Sequence, residues 1–204
     1  MIETTNPFLV WAYTGRRKLL EDVYNESIKD ENKLFIEFTR HTPTMITNGP
    51  SGLNGSVKGF GFVPKLENLK EITDKLMELI SKGENASQKE RMRSLIENIY
   101  SEKAQENLDF TKLLSLELAR KHTWENVMSG NNDCTLVYYQ PPMISFEVRG
   151  KVEIHENNMY SIFGNAIHDI YHSINTNIAN KPVYIFNIEE VFDNSVRGFG
   201  KKIY

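Results

Sequence analysis

Two histidines, His168 and His172, stand four residues apart in a stretch patterned as a helix, so their imidazoles share one face. Such a pair can supply two ligands to a metal, with Asp169 beside them, which would make the chain a metal-dependent enzyme. A third ligand would have to come from His41, His122 or His155, none of which is tied to the pair by a known spacing. Without one, the pair is polar helix surface. A second candidate is the segment Asn48–Gly61, which holds five of the chain's twelve glycines. Closely spaced glycines let backbone N–H groups converge on a phosphate, and Lys58 would add charge. The segment matches neither the Gly-Lys-Ser/Thr pattern nor the strand-loop-helix dinucleotide pattern, and its plainer reading is a long hairpin loop. A third group is Lys121, His122, Thr123 and Asn126, polar residues at a predicted helix start, where a phosphate could also sit. Trp124 among them either stacks on a ring or fills the core, and Thr123 is equally a helix cap. The lone Cys134 heads a strand with no nucleophile signature around it and reads as a buried, inert thiol.

The elements that must position these residues are clearest between Asp133 and Arg197. Cys134–Tyr139 is β-branched and aromatic, Pro141-Pro142 forces a turn, and Met143–His155 alternates. Ile144, Phe146, Val148, Val152 and Ile154 fall on one face, and Gly150 marks a mid-strand bend or bulge. Asn157–Asn175 is helical in pattern and Pro182–Phe192 returns as a strand. Upstream, the pattern predicts a helix over Gly15–Asp30, a strand over Lys33–Thr39, and a further strand within Ser56–Val63. Leu66–Lys82 carries apolar residues at helical spacing, and Ser87 can cap a helix running to about Glu106. Leu113–Lys121 and Trp124–Met128 also read as helix. A helical middle followed by a strand-rich final third argues for an α+β fold.

Bulk properties narrow the function. Net charge is −3 over 204 residues and the isoelectric point is near 6.0, which disfavours nucleic acid as a partner. One cysteine allows no internal disulfide and suits a reducing cytoplasm. No apolar run is long enough to span a membrane, and the first residues do not read as a secretory signal.

From Lys121 onward the order of features is distinctive. A basic residue, the short helix Trp124–Met128 and the turn Ser129–Asp133 lead into the strand Thr135–Tyr139. Then come Ile144–Ile154 with Gly150, the helix Met159–Ser173, the strand Val183–Phe192, and a tail with Asp193-Asn194-Ser195, Gly198 and Lys201-Lys202-Ile203. In this the chain resembles the FMN-binding split-barrel proteins related to pyridoxamine 5'-phosphate oxidase. Two departures stand out: a helical stretch, Lys65–Arg120, lies where early strands are expected, and Ser115 is six residues before Lys121 instead of forming a Ser-x-Lys signature. The resemblance implies one α+β domain over 1–204, an antiparallel split β-barrel with a helical insert at about 65–120. It implies FMN as cofactor and a homodimer, since family members hold flavin at the subunit interface. The expected activity is that of a flavoprotein oxidoreductase acting on a small molecule, with no catalytic side chain named because the chemistry is the flavin's. Aromatic Trp124, Tyr138 and Tyr139 would meet the ring, with Lys121, His122, Thr123, Asn126 and Arg149 as polar partners and Lys58 as the rival phosphate site. The alternative is a non-enzymatic small-ligand or partner-binding module of the same fold.

Overall fold

The computed structural model describes residues 6–172 and 180–204. Asn6 caps a short helix, α1 (Pro7–Leu9), where its side chain accepts from the N–H of Phe8 at 3.0 Å and of Leu9 at 3.2 Å. A π-turn over Val10–Thr14 then leads into α2 (Gly15–Tyr24). Phe8 and Trp11 are buried against Tyr138 and Phe146, with ring centroids 5.3–5.6 Å apart. The expected strand over Lys33–Thr39 is instead a helix, α3 (Glu31–Phe38). Asp30 caps it, accepting from the N–H of Asn32 at 2.9 Å. A seven-residue apolar alternation does not separate the two periods, and the cap decides for helix.

The sheet begins with β1 (Thr44–Thr47), β2 (Asn54–Val57) and β3 (Phe60–Pro64). Two helices follow, α4 (Leu66–Ile80) and α5 (Gln88–Leu95). In α5 the Ser87 hydroxyl accepts from the Glu90 N–H while the Glu90 side chain accepts from the Ser87 N–H, a complete capping box. A π-turn over Ile96–Tyr100 ends this helix well short of Glu106. The next element corrects the expected helical insert: Leu108–Leu116 is a strand, β4, not helix. Its leucines favour helix locally, but Leu113 and Leu114 face Phe186 and Ile185 across the sheet, and that burial overrides propensity. The chain continues through α6 (His122–Met128), β5 (Asp133–Gln140), β6 (Ile144–His155), α7 (Met159–His172), β7 (Val183–Asp193) and β8 (Lys201–Lys202). The end of the expected helix, 173–175, lies outside the described residues.

All strand pairs are antiparallel, in the order β2-β1-β5-β6-β7-β4-β3, with β8 on β7. This corrects the split-barrel expectation: the fold is α+β, but the sheet is an open path with β2 and β3 as its ends. Closure needs edge strands of matched length and stagger. Here β2 has four residues with alternate ones exposed, β3 is nearly all buried and ends in Pro64, and no ladder joins them. The β5–β6 hairpin forms around Pro141-Pro142 in the register Gln140↔Ile144. Gly150 sits at a bulge against β7, where a Cβ would lie 1.9 Å from the Asn187 carbonyl oxygen. Helix α7 packs on α4, α5 and the β4–β7 part of the sheet. Among the described residues, no helix is long and apolar enough to cross a membrane.

Candidate functional site

Between α2, α7, β3 and β4 lies a cavity of about 190 Å³. Its walls follow from local sequence. Along α7, residues 163, 164, 167, 168, 171 and 172 fall on one helical face, and all six line the space. Phe60, Phe62 and Leu114 close the sheet side, with Gly59 and Gly61 between them. The two π-turns are tied together by Tyr13, whose hydroxyl donates to the backbone carbonyls at Ile99 (2.8 Å) and Ser101 (3.1 Å). That tie holds Tyr100 against the start of α2. Arg40 holds the other side: it donates to the Trp11 carbonyl oxygen at 3.0 Å and pairs with Glu37, which keeps the short turn Thr39–His41 beside α2.

The polar groups of this cavity are unusual. Arg16 is only 5% exposed. Its Nε donates to the Tyr171 hydroxyl at 3.2 Å, and its guanidinium lies over the rings of Tyr171 (4.9 Å) and Tyr100 (5.7 Å). Its Nη1 is buried and, among the described residues, has no hydrogen-bond partner; the same holds for Nδ1 of His41. Burial, followed by the neighbouring Arg16 and His172, pushes His41 down to about 2, so its ring is neutral. Burial also drives the Tyr100 hydroxyl well above its ordinary range, against the pull of Arg16, so it brings no negative charge. His168 and His172 lie with ring centroids 4.7 Å apart, their planes tilted by 42°, on the cavity side of α7. Asp169 lies 3.4 Å from His168. Burial lowers His172, with His168 adding to it. The histidine pair thus shares a face as its spacing predicts, but among the described residues no three His, Cys, Asp or Glu side chains are placed to hold a metal. The metal-enzyme reading has no ligand set there.

The residues expected to contact flavin fall in several places. Thr123 is buried, with its hydroxyl bonded to the Asn54 side chain at 2.8 Å and to Ser56 at 2.9 Å. Asn126 is fully buried and fastens the glycine loop: it accepts from the Ser51 N–H at 2.9 Å and donates to the Gly52 carbonyl oxygen at 2.8 Å. Lys58 pairs with Glu117 at 2.8 Å and lies over the Tyr184 ring. Trp124 packs beside that same ring, with Arg120 on its own face. Lys121 and His122 are exposed at the start of α6, a helix of seven residues. The glycine loop and the 121–126 segment, two separate candidates in sequence, therefore meet in space. Tyr138 is elsewhere, sealed in the aromatic core with Phe8 and Trp11. Tyr139 is exposed near the hairpin turn, and Arg149 is exposed on β6 between Glu147 and Glu190. Within a single chain these nine residues are not gathered at one point. The cavity is also smaller than the ~300–1,000 Å³ of sites for drug-sized ligands, so it does not enclose a flavin mononucleotide. Cys134 is buried, and burial alone pushes its thiol up to about 12, as an inert thiol requires.

The cavity groups that sequence reasoning passed over are Arg16, Tyr100 and Tyr171, while His41 entered it only as an unlinked third ligand for the histidine pair. One signal was present. Arg16 shares the apolar face of α2 with Leu19 and Leu20, all three buried, and a cation inside an apolar stripe is rarely left there without a use.

No protein-family model matches the chain, and no curated protein matches its sequence. Its backbone is similar to several solved structures. One is HupZ from Group A Streptococcus, with 11% identity, TM-score 0.45, and 83% of this chain and 96% of that chain covered. Another is a Clostridium acetobutylicum protein described as related to general stress protein 26 of B. subtilis, of the pyridoxinephosphate oxidase family. It has 14% identity, TM-score 0.44, and coverage of 92% and 99%. A third is General Stress Protein 26 from Bacillus anthracis, with 11% identity, TM-score 0.40, and coverage of 76% and 85%. At these identities and scores the likeness is one of backbone alone.

Proposed function

We propose that this chain is a small-molecule-binding protein whose ligand lies in the cavity between α2, α7, β3 and β4. The observation that carries the reading is the space itself, set between α7 and the sheet and reaching solvent where Phe38, Gly59 and His172 are exposed. At Gly61, which lines it, an added Cβ would meet nothing within 4 Å, whereas at Gly164 across the cavity one would crowd Val183 at 2.7 Å and Leu114 at 2.9 Å. A dry cavity of ~150 Å³ already binds benzene, so about 190 Å³ admits a compact ring or branched chain. Titration with benzene should shift the amide resonances of Gly59, Gly61 and Gly164. The substitution Gly61→Leu, which fills the space, should abolish those shifts while leaving the fold intact. Unmoved resonances at millimolar benzene would remove the reading.

The second reading is an FMN-dependent oxidoreductase, supported by the meeting of segments 54–58 and 121–126 beside Trp124. It relies on Lys121 and His122 for the phosphate and Trp124 for the ring, since Thr123 and Asn126 are already engaged and Lys58, the rival phosphate site, is paired with Glu117. It brings the homodimer with it. The flavin supplies the redox chemistry, and this chain's residues bind and orient it. Fluorescence titration of FMN tests it: Lys121→Ala should weaken binding by roughly 1.5–3 kcal/mol, the worth of a charge-assisted hydrogen bond. Weakening in Lys58→Ala alone would move the phosphate to the loop, and no binding by the parent protein would leave only the cavity.

A further inference from the structure

Resting on the cavity reading, we propose that the ligand is a small organic anion, a monocarboxylate with a compact apolar body, and that Arg16 is its counter-charge. A guanidinium does not lose its proton in a protein. Buried without an anion it is costly, because the desolvation of the charge is not repaid. Arg16 is in that position. Among the described residues no carboxylate forms an ion pair with it, and its one hydrogen-bond partner is the phenol of Tyr171. No group around it that lines the cavity is a carboxylate. Tyr100 and Tyr171 offer ring faces, His41 is neutral, and His172 is basic. Asp169, the acid on α7, is turned toward His168. The protein therefore supplies a cation to an otherwise apolar cavity and leaves its negative partner to be brought in.

The same geometry narrows the anion. Nε is already committed to Tyr171, which leaves the Nη1 side of the guanidinium for a ligand. His41, which also lines the cavity, holds the second orphaned atom, Nδ1, which in one neutral tautomer carries a proton to donate. Two donors on an apolar wall suit the two oxygens of a carboxylate better than the many acceptors of a phosphate, which would stay unsatisfied against Phe60, Leu114 and Ile167. The volume limits the rest of the molecule to about the size of one ring.

A matched pair of probes tests this: benzoate and benzamide, nearly identical in shape, titrated calorimetrically into the full chain at neutral pH. Benzoate should bind at least tenfold more tightly than benzamide, with amide shifts at Gly59, Gly61 and Gly164. The preference should vanish in Arg16→Met, which replaces the charge by an apolar side chain of similar length. Equal affinity for the two probes overturns the proposal, and so does a preference that survives Arg16→Met or shifts that map away from the cavity. Should Arg16→Met not fold, the comparison within the parent protein still decides. If benzene binds but benzoate does not, the anion is wrong and the cavity reading stands. If neither binds, both fall.

Discussion

At the scale of single residues, two groups, Glu117 buried and His41 half-buried, give the protein separable acid sensitivities. Burial alone would raise the Glu117 carboxyl. Hydrogen bonds from Lys58, the Tyr184 hydroxyl and the N–H groups of Ala119 and Arg120 outweigh it and hold the group at about 2. Its folded value is depressed, so its stabilisation is complete above the ordinary value of 4.5 and fades as pH falls from there toward 2. His41 is also depressed, to about 2 from 6.5. In the unfolded chain it takes up a proton below 6.5 while the folded chain does not, so stability declines as pH falls from 6.5. The slope is at most about 1.4 kcal/mol per pH unit for one proton. Thermal melts across pH 7 to 3 should therefore show a loss that begins near 6.5 and steepens below 4.5. In His41→Phe the upper part of that slope should flatten, and in Glu117→Gln the lower part. An unchanged upper slope in His41→Phe would mean that the ring is protonated in the folded protein. Lys58 teaches the converse lesson. Its charge looks free for phosphate in the sequence, yet the fold gives it to Glu117.

At the scale of elements, β6 shows a local signal and its tertiary reason agreeing. Its alternating pattern forecasts a strand, and Gly150 in its middle forecasts a bulge. The bulge is where β7 crosses so closely that only a missing side chain fits. Gly150→Ala should cost about 1–3 kcal/mol, as overpacking does, seen as a lowered denaturation midpoint with the slope unchanged. A neutral effect would mean that β7 yields there. The capping box at Ser87 was legible for the same kind of reason: its partners lie three residues apart. β4 was not, since leucine-rich residues 113–116 carry no local mark that they will lie between β3 and β7.

At the scale of the whole molecule, the open sheet leaves apolar side chains outside. Phe199 is 85% exposed, Leu53 79% and Val57 69%. A second subunit often covers such residues where they join in one patch, which is what the homodimer proposed with the flavin reading requires of them. Sedimentation at micromolar concentration should give twice the chain mass. A monomer would separate the protein from that reading and leave the cavity, which is complete in one chain, untouched.

By itself the sequence determined what depends on neighbours along the chain: the α+β class, the β5–β6 hairpin, α4, the α5 cap, the bulge at Gly150 and the shared face of His168 and His172. Each rests on spacing, propensity or turn chemistry over a few residues. Only the tertiary structure decided that 31–38 is helix and 108–116 strand, that the sheet stays open, and that the two candidate phosphate segments meet at α6. It alone showed that Arg16, His41, Tyr100 and Tyr171 share one cavity. These residues are drawn from parts of the chain far apart in sequence, and no local pattern carries the pairing. What joins them is tertiary packing, which brings distant side chains into common contact and leaves one of them, a charged guanidinium, without an ion-pair partner among the described residues.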